Sequence, residues 1–218
     1  MSETPKHITR RKLKTPRAAA IAGILFALLF GTGLVLIRIS IPTDPTAENT
    51  WLETNSRTVS LALNLIPYAG IAFLWFIGVI RDHLDDLEDR LFSTVFLGSG
   101  LLFLALTFAG AAQAGGLLNS YMVAPNALVE SGVFTYSRAV MYQTVNVYAI
   151  RMAGVFMISL GTIWLRTGLM RRVWAFVTYA MALVLLLSIS YSLWVTLVFP
   201  GWVLAVSVYF LVLNLSDR

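Results

Sequence analysis

The chain has 218 residues, 58% of them hydrophobic and only 12% charged, with a mean hydropathy of +0.77. That charged share is about half of what a soluble domain carries, and a water-soluble fold of this length could not hide so much apolar surface, so lipid is the solvent the composition calls for. The net charge is +5 and cysteine is absent, which excludes disulfides, thiolate metal sites and cysteine nucleophiles and makes Lys and Arg markers of membrane topology, with no nucleic acid expected as a partner.

Residues 1–17 form a basic tail with Lys6, Arg10, Arg11, Lys12, Lys14 and Arg17. The Arg-Arg pair has the look of a twin-arginine export signal, but the tail is read as a cytoplasmic positive flank resting against anionic headgroups. The apolar run that follows is too long for a signal-peptide core and ends without a small-x-small cleavage site. The first span is predicted at 18–37. Ala19, Gly23, Ala27 and Gly31 recur every four residues along it, a small-residue stripe that serves close packing inside the bundle or, alternatively, self-association.

Residues 38–57 read as an external loop, with Asp44-Pro45 able to start a short helix and Trp51 as an interfacial anchor. The second span, 58–80, contains Asn64 and Pro67; the proline frees the carbonyl near Leu63, which protein groups or water must then satisfy. The stretch 81–90 places His83 among five carboxylates. Its spacing fits a solvated helical connector with Arg81–Asp85 and Asp86–Arg90 pairs better than a metal site. The third span is predicted at 91–114, closed by Gly115-Gly116, and a long loop at 115–139 turns at Pro125-Asn126, with short interfacial helices expected near 117–123 and 126–131. The fourth, fifth and sixth spans follow at 140–165, 173–198 and 202–215, with a turn at Pro200-Gly201.

These elements make an all-α integral membrane protein: a tail at 1–17 and one six-helix membrane domain at 18–215, with both termini cytoplasmic. With that topology twelve Lys and Arg fall on cytoplasmic segments and three, Arg38, Arg57 and Arg138, on external ones, the bias expected of the positive-inside rule. Six spans divide into halves of opposite orientation, as in inverted-repeat transporters, but no residue-level similarity relates the halves.

The remaining basic residue, Arg151, lies near the middle of the fourth span. A central Arg costs at least ~2.5–3.5 kcal/mol on insertion scales, so it should face protein or water. Helical side chains lean toward their own N-terminus, which directs Arg151 toward the external half. Asn64, Tyr68 and Gln113 are expected there, with Ser188, Ser190, Tyr191 and Ser192 of the fifth span. Thr144, Tyr148, Gly154 and Gly161 share its helix face. Glu130, Glu53 and Glu48 are the carboxylates that could reach in from loops. A binding constellation of Arg151, Tyr148, Asn64, Gln113 and Glu130 follows, to be set against a purely structural Arg and against one that snorkels to lipid phosphate. No catalytic residue, metal or cofactor is assigned, since no His, Asp or Glu lies within a predicted span and no P-loop, zinc-protease or serine-hydrolase motif is present.

The segment Pro67-Tyr68-Ala69-Gly70-Ile71-Ala72-Phe73-Leu74-Trp75-Phe76-Ile77-Gly78, with Asp82, Glu88-Asp89-Arg90 and Phe96-Leu97-Gly98-Ser99-Gly100, resembles a family of uncharacterised bacterial multi-pass membrane proteins. The resemblance covers under a quarter of the chain. It implies a bacterial inner-membrane location and brings no activity, cofactor or site residue. The leading expectation is a structural or accessory membrane component that packs against a second copy or another membrane protein. The alternative is a small transporter or binding protein for an anion or lipid headgroup centred on Arg151, and an enzyme acting on lipid-borne substrates ranks third.

Overall fold

The computed structural model describes residues 15–41, 50–84, 90–168, 170–187 and 193–216. These are almost entirely helical, with no strand among them: α1 (Thr15–Ser40), α2 (Thr50–Leu84), α3 (Arg90–Val123), α4 (Pro125–Glu130) and α5 (Val133–Tyr142). A π-helical segment, Gln143–Ala149, joins α5 to α6 (Ile150–Thr167); α7 (Arg172–Leu187) follows, and a 3₁₀ turn at Leu193–Leu197 leads into α8 (Val198–Ser216). Five helical stretches are long and apolar enough to cross a membrane: Ala18–Ser40, Thr54–Asp82, Leu91–Val123, Val133–Thr167 and Trp194–Val212. Helix α7, with 16 residues, is apolar but shorter.

Several boundaries differ from expectation. Helix α2 begins at Thr50, so the chain from Thr50 to Arg57 is helix and not loop. Gly115-Gly116 does not end α3, which continues to Val123. A glycine inside a helix costs only about 1 kcal/mol, and Leu117 and Leu118 just beyond the pair are buried. The long loop at 115–139 is therefore mostly helix; its short helix expected near 126–131 is α4. Gly132, at φ 73, reverses the chain into α5, a left-handed conformation that glycine adopts without steric cost. The fifth span does not run unbroken to 198, and Pro200-Gly201 is no turn: both residues sit in the first turn of α8, where a missing backbone N–H is tolerated. Asp44-Pro45, Asp85 to Asp89 and the polar run Ser188 to Ser192 lie outside the described residues.

Helix α1 packs on α2 and α8, and α6 packs on α3 and α7. Three of the four stripe residues of α1, Ala19, Gly23 and Ala27, are buried, and a Cβ on Gly23 would run into Ser207 of α8 and Phe76 of α2. The stripe thus serves packing inside the chain. The core is aromatic. The Phe73 ring of α2 lies 4.7 Å from Phe26 of α1, 5.4 Å from Phe103 of α3, 5.4 Å from Phe156 of α6 and 5.7 Å from Phe199 of α8, centroid to centroid. Mostly edge-on and tilted contacts of this kind are favoured by the ring quadrupole. Polar side chains add two ties: Trp202 donates its indole N–H to Thr178 Oγ1 of α7 at 2.9 Å, and the Thr162 and Tyr179 hydroxyls meet at 2.8 Å across α6 and α7.

A second, smaller apolar cluster sits at one end, built from Leu52 and Val59 of α2, Leu117 and Leu118 of α3, Leu128 of α4 and Phe134 of α5. It caps the bundle. Elsewhere the outer surface is lined with large apolar side chains, among them Ile21, Leu25, Ile71, Trp75, Leu102, Leu183 and Val212, an exterior that suits lipid and not water.

Truncating Phe73, which is 0% exposed, to alanine is expected to cost about 3–5 kcal/mol, whereas Trp75→Ala on the outer face, 67% exposed, leaves stability near that of the parent. Thermal unfolding in mild detergent compares the two; equal losses would contradict the placement of the core.

Candidate functional site

Between the aromatic core and the cap lies a cavity of about 530 Å³, within the range of about 300–1,000 Å³ common for ligand pockets. Its walls come from four stretches. Helix α1 presents Phe30, Leu34, Ile37, Arg38 and Ile41, which fall on one face at helical spacing; α3 presents Thr107, Gly110, Ala111 and Ala114 in the same way. Leu63 and Ile66 come from α2, and Phe134, Thr135, Arg138, Ala139, Met141 and Tyr142 from α5, continued by Gln143, Val145 and Asn146 of the π segment. Phe30 belongs to both the wall and the aromatic core, so the core is the floor; Phe134 belongs to both the wall and the cap, so the cap is the roof.

The charged side chains described in the lining of this cavity are basic. Arg38 and Arg138 line it, and among its described lining residues there is no carboxylate. Arg38 donates from Nη2 to Asn146 Oδ1 at 2.8 Å, linking the end of α1 to the π segment. Asn146 in turn donates from Nδ2 to the Tyr142 carbonyl at 3.3 Å, which fixes the orientation of its amide. The Nε of Arg38 is buried and has no hydrogen-bond partner. Thr107, near the floor, is already satisfied by the Phe103 carbonyl at 2.8 Å. Pro67 lies inside α2, so the carbonyl of Leu63, a wall residue, lacks its usual helical donor.

The π segment positions this edge. A π turn is wider than an α turn and is frequent at functional sites. Here it turns Gln143, Val145 and Asn146 toward α1 and α3. Helix α3 meets it at Gly110, where a Cβ would overlap the Val145 side chain. Glycine at that position is what lets the two backbones approach.

The five residues expected to form a binding constellation do not line this cavity. Asn64 and Glu130 are exposed, and Tyr148 is 59% exposed. Gln113 is half-buried with its Oε1 enclosed and unpartnered. Arg151 is half-buried and makes no hydrogen bond or ion pair with a described residue. Gly154 and Gly161, expected on its face, pack instead on α7, at Ala182 and Leu186 and at Thr178 and Tyr179 respectively. For Thr144 and Tyr148 the reason is register: the expected face assumed 3.6 residues per turn throughout, and the π segment that holds both ends two residues before Arg151, so they no longer follow its stripe. Glu53 lies in α2 and Glu48 outside the described residues.

Sequence reasoning passed over Arg38 and Arg138 because both were counted as flanks of external loops. The available signal was the series Arg138, Tyr142, Asn146, spaced four apart. It was hidden by starting the fourth span at 140, when helix begins at Val133.

Chemically, the arrangement offers cationic and amide donors against apolar walls. None of the described lining residues is a His, Asp or Glu that could move a proton, and among the described residues no three His, Asp or Glu side chains gather to hold a metal.

Asn146→Leu removes the acceptor and leaves a charged donor enclosed, so a loss of about 1.5–3 kcal/mol is expected, while Asn146→Asp keeps the acceptor and should match or exceed the parent. Thermal unfolding of the two variants checks this; a leucine variant as stable as the parent would show that Asn146 does not hold Arg38. Comparison of the chain with protein-family models, with curated proteins and with solved structures gives no match.

Proposed function

We propose that the protein is a multi-pass protein of a bacterial inner membrane that binds an anionic group in the cavity walled by Arg38, Arg138 and Asn146. The observation that carries this reading is the Arg38 side chain. It lies in an apolar seam, has one neutral acceptor, and keeps a buried Nε without a partner. A guanidinium has five donors in a rigid fork suited to carboxylate and phosphate, and an anion beside Arg38 would meet the Arg38 donors that Asn146 does not.

In this reading the chain crosses six times with both termini in the cytoplasm. Helix α7 is the crossing that the length criterion leaves out; its 16 residues span about 24 Å against the ~30 Å of a hydrocarbon core. The excess of Lys and Arg on the tail, at Arg81 and Arg90 and at Arg166, Arg171 and Arg172 supports that orientation. It puts the cavity, with Arg38 and Arg138, in the external half.

Because the chain has no cysteine, topology can be read by single-cysteine labelling. Ser131→Cys should react with a membrane-impermeant maleimide in intact cells, and Arg171→Cys only after lysis; the reverse pattern would invert the topology. Ligand binding is read from thermal shifts of the purified protein against phosphate- and carboxylate-bearing compounds, both water-soluble and lipid. Arg38→Gln should weaken the response at least tenfold, the equivalent of one charge-assisted hydrogen bond of about 1.5–3 kcal/mol, while Arg151→Met leaves it unchanged. Loss with Arg151→Met and not with Arg38→Gln would move the site to Arg151. A component that acts by helix packing would show no ligand response and would instead co-purify with a partner or with further copies of itself.

A further inference from the structure

We infer that the occupant of this cavity is a single-chain anionic amphiphile: its phosphate or carboxylate head lies between Arg38 and Arg138, and its hydrocarbon lies against the floor. This inference rests on the anion site described above and names its ligand class. Three observations carry it.

The first is the segregation of the walls. The charged residues Arg38 and Arg138 lie toward the cap, an end they share with Ile41 and Phe134; Phe30, Leu34 and Ile66, which belong to the aromatic core cluster, make the other end wholly apolar. Arg38 and Phe30 are eight residues apart on one helix, about 12 Å at 1.5 Å per residue. A hydrophilic anion at the arginines would leave that apolar depth facing water; a head with a chain fills both.

The second is volume. The cavity, which is open on part of its perimeter, has a volume of about 530 Å³, the scale of a drug-sized ligand and far more than one small anion needs.

The third is depth in the bilayer. Helices α2 and α3 have 35 and 34 residues, about 50 Å each, against a hydrocarbon core of ~30 Å. The part of that excess at the capped end would set the arginines near headgroup level, with the floor among acyl chains. An amphiphile already in the membrane meets the cavity in its own orientation.

The test uses the full chain in nanodiscs of phosphatidylcholine, with thermal unfolding as readout and acetate, inorganic phosphate, dodecanoate and dodecanol as probes. Dodecanoate is expected to stabilise at concentrations at least 100-fold below those of acetate or phosphate, and at least tenfold better than dodecanol at equal bilayer mole fraction. Arg38→Gln should remove the advantage over dodecanol. Ala111→Phe, which fills the cavity from α3, should remove the advantage over acetate. Because the phenylalanine variant can fail to fold, a dodecanoate with a photoreactive group on its terminal carbon supplies a second measurement on the parent protein. It should crosslink to peptides containing Phe30 or Ile66. Crosslinks confined to the outward faces of α2 or α7 would overturn the inference. Acetate or phosphate acting as well as dodecanoate would overturn the hydrocarbon part and leave the anion site standing. Dodecanol acting as well as dodecanoate, or no response to any probe, would overturn the anion site and this inference together.

Discussion

A guanidinium placed in an apolar seam must find acceptors, and the cap end of this protein is arranged around that requirement. One charge-assisted hydrogen bond contributes about 1.5–3 kcal/mol, and the bond to Asn146 at 2.8 Å is the one that Arg38 makes among the described residues. The remaining donors decide what the site does. They are met by water or by an anion, and the surrounding walls determine which of these can stay. Apolar walls do not hold water in place, whereas a chain-bearing anion covers them.

The two apolar clusters explain why such a seam exists. The Phe73 ring draws α1, α3, α6 and α8 onto α2 at one level, and rings of that size fill the space between helices without voids. One or two turns toward the cap the facing residues are smaller or end in polar atoms: Gly110, Ala111 and Ala114 on α3, Arg38 on α1, Asn146 on the π segment. The helices are held apart there by the core below and by the cap above, where Phe134 and Leu128 pack on Leu52, Val59, Leu117 and Leu118. The cavity is the volume that small residues leave between two well-filled layers.

Apolar run length was enough to place the first three spans and the fourth through α6, because an uninterrupted run of twenty apolar residues has few alternatives to a membrane helix. What run length cannot read is helix that continues past the hydrocarbon. The starts of α2 and α5 carry Glu53, Arg57 and Arg138 and look like loop by composition; tertiary packing in the cap makes them helix. The π segment is invisible for a related reason. Periodicity arguments assume one turn size, and seven residues of wider turn rotate everything before Arg151 relative to everything after it. Tyr148 was grouped with Arg151 on that assumption and Asn64 by its level in the second span, and both face outward.

Arg151 and Arg38 together show why a charge inside an apolar run is a weaker guide than a charge at its end. Arg151 is the anomaly of composition, yet it is half-buried with no described partner, and a long flexible stem lets such a residue carry its charge toward the nearest polar layer. Arg38 is unremarkable in sequence, the last basic residue of a span, where a flank is expected. The difference comes from what is built beyond it. If α2, α3 and α5 ended at the membrane surface, Arg38 would be solvated and would carry no constraint. Helices α2 and α3 are each about 50 Å long, more than a ~30 Å hydrocarbon core takes, and the cap they form with α4 and α5 covers that end of the bundle. A terminal arginine enclosed in that way keeps the anion preference of a surface residue and acquires the desolvation of a buried one.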